Sequence, residues 1–140
     1  MDVGALGLYI CLFLALYFEV FLLISFFEKP PKGRSNILPA RYPDVSVIVP
    51  CYNEEATLGA TIESLLKLEY PKDKLEVIVV DDGSRDRTRA IGERYAAAEA
   101  RVRFFHKANG GKYTALNFGI AQSTAEVVGC LDADSFVAPD

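Results

Sequence analysis

The chain has 140 residues, a net charge of −4 from 15 Lys+Arg against 19 Asp+Glu, and 51% hydrophobic residues, which leaves room for one modest domain and one further element. This acidic balance, with no basic patch interleaved with aromatics, argues against nucleic acid as a partner. Three scattered cysteines (Cys11, Cys51, Cys130) and a lone His106 rule against a disulfide framework and a C-x-x-C metal site, and they suit a reducing compartment.

Val3 to Phe27 is apolar apart from Glu19 and Ser25. As a helix the run measures about 37 Å, enough for a bilayer core of about 30 Å. It predicts a transmembrane anchor over 1–28. The absence of a basic residue before it, its length and the proline-rich stretch after it oppose a cleavable signal peptide. Lys29, Lys32, Arg34 and Arg41 follow the span, while only the amino terminus and Asp2 precede it. The positive-inside bias therefore places the rest of the chain in the cytoplasm. Glu19 is costly in lipid and points either to a partner helix or to a protonated or snorkelling side chain. Residues 29–44, rich in proline, predict an extended linker.

Beyond it, strands and helices alternate. "VSVIVP" (Val45–Pro50) is a β-branched run of the kind covered on both faces. Asn53 is placed to cap a helix with Glu54 and Glu55 in its first turn and Leu58, Ile62, Leu65 and Leu66 on its inner side. "LEVIVVDD" (Leu75–Asp82) is a second buried strand, stopped by Gly83, and a helix through Ile91 and Tyr95 follows. A short strand (Val102–Phe105), a break at "NGGK", a helix around Ala115–Ala121 and the strand "VVGCL" complete the pattern. The alternation predicts an α/β fold of right-handed βαβ units with a doubly wound, mostly parallel sheet.

In such sheets ligands bind outside the carboxyl ends of the strands, where this chain gathers its polar residues: Cys51-Tyr52-Asn53-Glu54, Asp81-Asp82-Gly83-Ser84 and Asp132-Ala133-Asp134. If the last strand stays extended, Asp132 and Asp134 share one side and repel unless a cation is present. Magnesium or manganese suits such hard oxygen ligands, and an acidic turn is the plainer alternative. Asp81 and Asp82 face opposite ways, so one of them reaches a ligand's ribose hydroxyl or base N–H. Gly83 at positive φ makes a plain turn the competing reading. The glycines of "KANGGKYTALN" and Lys112 could meet an anion at a helix start, although the stretch is neither a Walker loop nor a G-x-G-x-x-G.

Together, "VSVIVPCYNEE", "VIVVDDGSRDRT", "NGGKYTALNFGI" and "CLDADSFVAPD", in that order, resemble the family 2 glycosyltransferases, and most nearly the membrane-anchored synthases of N-acetylglucosamine polymers, hyaluronan, chitin and cellulose. The resemblance covers nearly all of Val45 to Asp140. It implies a GT-A fold, a UDP-sugar donor, inversion at the anomeric carbon and a glycan or lipid-linked acceptor. Carried over, it implies that Pro50, Tyr52 and Glu54 line the nucleotide pocket, that Asp81 or Asp82 holds uracil or ribose, and that Lys112 lies near the base or diphosphate. Asp132 and Asp134 match the D-x-D pair, with Asp134 as metal ligand and Asp132 shared between metal and nucleotide. The family's base, an aspartate in a later motif, and its Q-x-x-R-W motif have no counterpart here, and the chain has no tryptophan. The expectation is the donor-binding half of a longer synthase, over 45–140. A tethered nucleotide- and magnesium-binding module without catalysis and a receiver-like magnesium-binding signalling domain are the other readings.

Overall fold

The computed structural model describes residues 2–27 and 41–139, divided between two compact units, Met1–Leu38 and Pro39–Asp140. In the first, α1 (Val3–Phe27) is one uninterrupted helix of 25 residues. Leucine, isoleucine, phenylalanine and tyrosine side chains are exposed all around it. A helix with no polar face has nothing suited to water, and with a mean hydropathy of 2.5 over its most apolar stretch this one is long and apolar enough to cross a membrane. Lys29, Lys32 and Arg34, and the expected linker up to residue 40, lie outside the described residues. Arg41 is described and pairs with Glu126.

The second unit contains β1 (Val45–Cys51), α2 (Leu58–Leu66), β2 (Leu75–Asp81), α3 (Thr88–Ala98), β3 (Val102–His106), α4 (Lys112–Gln122) and β4 (Val127–Cys130). The four strands form one parallel sheet in the order β3-β2-β1-β4. From β1 the chain winds outward through β2 to β3. It then crosses back to lay β4 on the far side of β1, so the winding reverses between β1 and β4. Register aligns Cys51, Asp81 and His106 side by side at the carboxyl ends of β1, β2 and β3.

Alternation along the strands divides the core. Val49, Cys51, Val77 and Val79 pack against Leu58, Ile62 and Leu65 of α2, with Ile91 and Tyr95 of α3 beside them. Ile48, Ile78 and Val80 face the other way, onto Ala115 and Leu116 of α4. Each large apolar side chain buried in this way contributes about 1.5–3 kcal/mol. Helices on both faces make the sheet doubly wound, as the β-branched runs predict. Gly119 allows α4 its approach, since a Cβ there would lie 2.6 Å from Ile48 Cγ2.

Two local expectations are corrected. Asn53 does not cap α2: the helix begins four residues beyond Glu54, with Thr57 at the cap position and no acid in its first turn. The fourth strand does not stay extended through Asp132. It ends at Cys130, and Asp132 to Ser135 form a turn closed by the Ser135 N–H on the Asp132 carbonyl at 3.0 Å.

Candidate active site

The loop after β1 is held by the loop after β2. Asn53 has a left-handed backbone, φ 56°, the one non-glycine so placed among the described residues. Its N–H donates to Ser84 Oγ at 2.9 Å and its Oδ1 accepts the Arg85 N–H at 2.9 Å. Beyond it, the Glu54 N–H donates to Thr88 Oγ1 (2.7 Å) and the Glu55 N–H to Asp86 Oδ2 (3.1 Å). These bonds offset the cost of the left-handed residue, of order 1 kcal/mol, and set Tyr52 and Glu54 on either side of it.

Asp81 and Asp82 part ways as adjacent strand residues must. Asp81 is fully buried. It accepts the Ser84 N–H and hydroxyl and bonds His106 Nδ1 at 2.7 Å, so it braces the loop from behind and does not line the cleft. Gly83, at φ 79°, turns the chain directly after the pair. Asp82 does line the cleft. It accepts the N–H groups of Gly110 (3.0 Å) and Gly111 (2.7 Å) and pairs with Lys107. Burial raises its pKa, but the bonds from Lys107, Gly110 and Gly111 outweigh burial and hold it below its ordinary 3.8. The glycine turn thus does meet an anion through its backbone, and that anion is Asp82 of the same chain.

The acid pair is shaped by the residue between its members. Ala133 is buried in the α2 side of the core, and its carbonyl accepts the buried Thr61 hydroxyl at 2.7 Å. Pinning Ala133 inward throws Asp132 and Asp134 outward into the cleft. Asp132 Oδ1 lies 2.6 Å from Lys112 Nζ, and Asp134 is exposed.

Pro50, Cys51, Tyr52, Glu54, Asp82, Lys112, Ala115, Asp132, Ala133 and Asp134 together enclose about 210 Å³ at the carboxyl ends of β1 and β4, where the winding reverses and ligands of such sheets bind. Of the residues that the resemblance carries over, Pro50, Tyr52, Glu54, Asp82, Lys112, Asp132 and Asp134 converge there and Asp81 does not. Four carboxylates face one ammonium in this lining, and Asp82 already has Lys107 beside it. Burial, with the nearby Asp81 and Glu54 charges, pushes the Cys51 thiol up, so it stays protonated and inert. Among the described residues no three acids, histidines or cysteines cluster as a closed metal cage. Two outward carboxylates fit a magnesium or manganese ion, which keeps water and substrate phosphate in its shell, and do not fit a zinc site.

Residues 46–140 match the family described as Glycosyl transferase family 2. The chain belongs to glycosyltransferase family 2. Within the family it is 39% identical over 116 residues to the probable glycosyltransferase YdaM of Bacillus subtilis (80% of this chain, 27% of that protein). It is 36% identical over 133 residues to a poly-beta-1,6-N-acetyl-D-glucosamine synthase of Staphylococcus epidermidis (92% and 32%). It thus spans about a quarter to a third of these relatives. Among solved structures, the mannosyltransferase PcManGT of Pyrobaculum calidifontis, in complex with GDP-Man and Mn2+, superposes with a TM-score of 0.70 at 31% identity (97% of this chain, 40% of that one). Residues 1–349 of S. aureus TarS, in complex with UDP-GlcNAc, superpose at 0.63 and 35% identity (69% and 28%). The fold is the GT-A fold of these family 2 enzymes.

Family motifs draw the eye to the cleft and away from its supports. Thr61, Ser84, His106 and Lys107 hold the site without lining it. Ser84, His106 and Lys107 fall in or beside stretches the sequence singles out, but the bonds that tie Thr61 to Ala133, His106 to Asp81 and Lys107 to Asp82 reach across 25 to 72 residues, so no local pattern marks what they hold.

Proposed function

We propose that this chain binds the donor for an inverting, metal-dependent transfer of a sugar, N-acetylglucosamine, from its UDP-sugar to a growing polysaccharide or lipid-linked acceptor. In this reading residues 1–28 anchor the chain in a membrane, 29–44 link, and 45–140 form the donor-binding half, facing the cytoplasm. The observation that carries it is the convergence of Tyr52, Glu54, Asp82, Lys112, Asp132 and Asp134 on one cleft at the reversal point of the sheet. The staphylococcal relatives, one a synthase of N-acetylglucosamine polymer and one bound to UDP-GlcNAc, support the choice of sugar.

Pro50, Tyr52 and Glu54 form the wall against the nucleoside. Of the aspartate pair, Asp82 is at the cleft, so contact with uracil or ribose falls to it, with Asp81 as its brace. Asp132 and Asp134 would hold magnesium or manganese, which when bound supplies Lewis-acid neutralisation of charge growing on the leaving diphosphate. Lys112 brings its ammonium to the same phosphates. The acceptor hydroxyl attacks the anomeric carbon as the bond to the diphosphate breaks, and its proton passes to a base, for which the resemblance points to a later motif.

Titration calorimetry on the full chain in detergent tests the site. UDP is expected to bind at least about tenfold more tightly with Mn2+ than with a chelator, a difference of about 1.4 kcal/mol, and Asp134→Asn to remove most of that gain. Equal binding with and without the metal, unchanged by Asp134→Asn, sinks the reading.

A further inference from the structure

The cleft's single ammonium sits on one of the carboxylates assigned to the cation. Lys112 Nζ is 2.6 Å from Asp132 Oδ1, and both side chains are more than half exposed. Among the described residues no second basic side chain lines the cleft: Lys107 Nζ is engaged by Asp82, the Ala108 carbonyl and Thr114 Oγ1. The backbone beneath Lys112 is fixed, because the Gly110 and Gly111 N–H groups are tied to Asp82 and Ala115 is fully buried. Only the four-carbon stem has to swing, and an exposed ion pair is held loosely enough to let it.

We propose that Lys112 stands in for the cation on Asp132, and that cation and nucleotide are therefore taken up as a pair. The inference rests on the donor site proposed above. A nucleoside diphosphate arriving alone faces Glu54, Asp132 and Asp134 with the one ammonium already engaged. A divalent cation arriving alone competes with that ammonium for Asp132. When both arrive, the ammonium passes from carboxylate to phosphate and the acids are released to the cation. Each ligand then raises the other's affinity by the same factor, as linkage requires.

Electron paramagnetic resonance counts free Mn2+ directly, so the test needs no turnover. Binding to the full chain in detergent is measured with and without UDP for the wild type, Lys112→Gln, Lys112→Arg and Asp134→Asn, with near-ultraviolet circular dichroism confirming each fold. Lys112→Gln is expected to tighten nucleotide-free Mn2+ binding by about three- to tenfold and to shrink the further gain that UDP brings. Lys112→Arg is expected to keep most of that gain. If Lys112→Gln leaves nucleotide-free Mn2+ binding unchanged, the stand-in role is overturned. Tighter Mn2+ with an unchanged UDP gain marks simple repulsion and overturns the coupling. If Asp134→Asn binds Mn2+ as the wild type does, the donor-site reading itself falls, and this inference with it.

Discussion

Asp82 is 3% exposed, with a lysine ammonium and two backbone N–H groups around its carboxylate. Those donors hold its pKa below 3.8 despite burial. The folded chain therefore keeps it charged at a pH where the unfolded chain has begun to take up a proton. Its contribution is complete above the ordinary value and lost as the pH falls through the lower, folded value. The stability of the wild type against denaturant should fall as the pH is lowered from about 5 to about 2, and Asp82→Asn should flatten that decline. At neutral pH the variant should be about 1–3 kcal/mol less stable. Identical slopes for the two proteins would remove Asp82 from the account. Little of this is legible in the primary structure, where Asp82 and the glycine turn stand 28 and 29 residues apart. Asn53 misleads for a related reason. Before two glutamates and an apolar helix it reads as a cap, yet its conformation is decided by Ser84 and Arg85, 31 and 32 residues away.

Secondary structure is more legible in the sequence, because its signals are local. β1 and β2 are rich in valine and isoleucine, and each lies within a residue of its expected bounds. β4 has four residues and exposed valines, so it offers a weaker signal, and where it stops depends on Thr61 drawing Ala133 into the core. α4 links packing to chemistry. It begins at Lys112, rests on the sheet through Ala115, and passes Ile48 at Gly119. A methyl group at 119 would meet Ile48 Cγ2 at 2.6 Å and Val80 Cγ2 at 3.3 Å. Gly119→Ala should therefore push the helix outward at a cost of about 1–3 kcal/mol, lowering the thermal midpoint. Because the same displacement moves Lys112, UDP affinity with Mn2+ should fall as well. A variant with wild-type melting would show that the helix accommodates the methyl group.

Two units of opposite solvent preference share one chain. α1 has apolar side chains exposed around its whole circumference, whereas the Pro39–Asp140 unit buries its apolar residues on both faces of a sheet. If α1 spans a bilayer, the full chain should remain in the membrane pellet after alkaline carbonate extraction, and a chain lacking residues 2–27 should pass to the supernatant. Release of the full chain by carbonate would mean that α1 only adheres. The sheet itself has two ends. β4 pairs with β1 on one side alone, and Val127 and Val128 are 46% and 39% exposed. Its outer row of backbone donors and acceptors has no strand partner among the described residues, and such a row is a template for any passing strand. A preparation of this unit at high concentration should therefore oligomerise edge to edge, which sedimentation velocity would detect. A lysine or proline on the outer side of β4 should keep it monomeric.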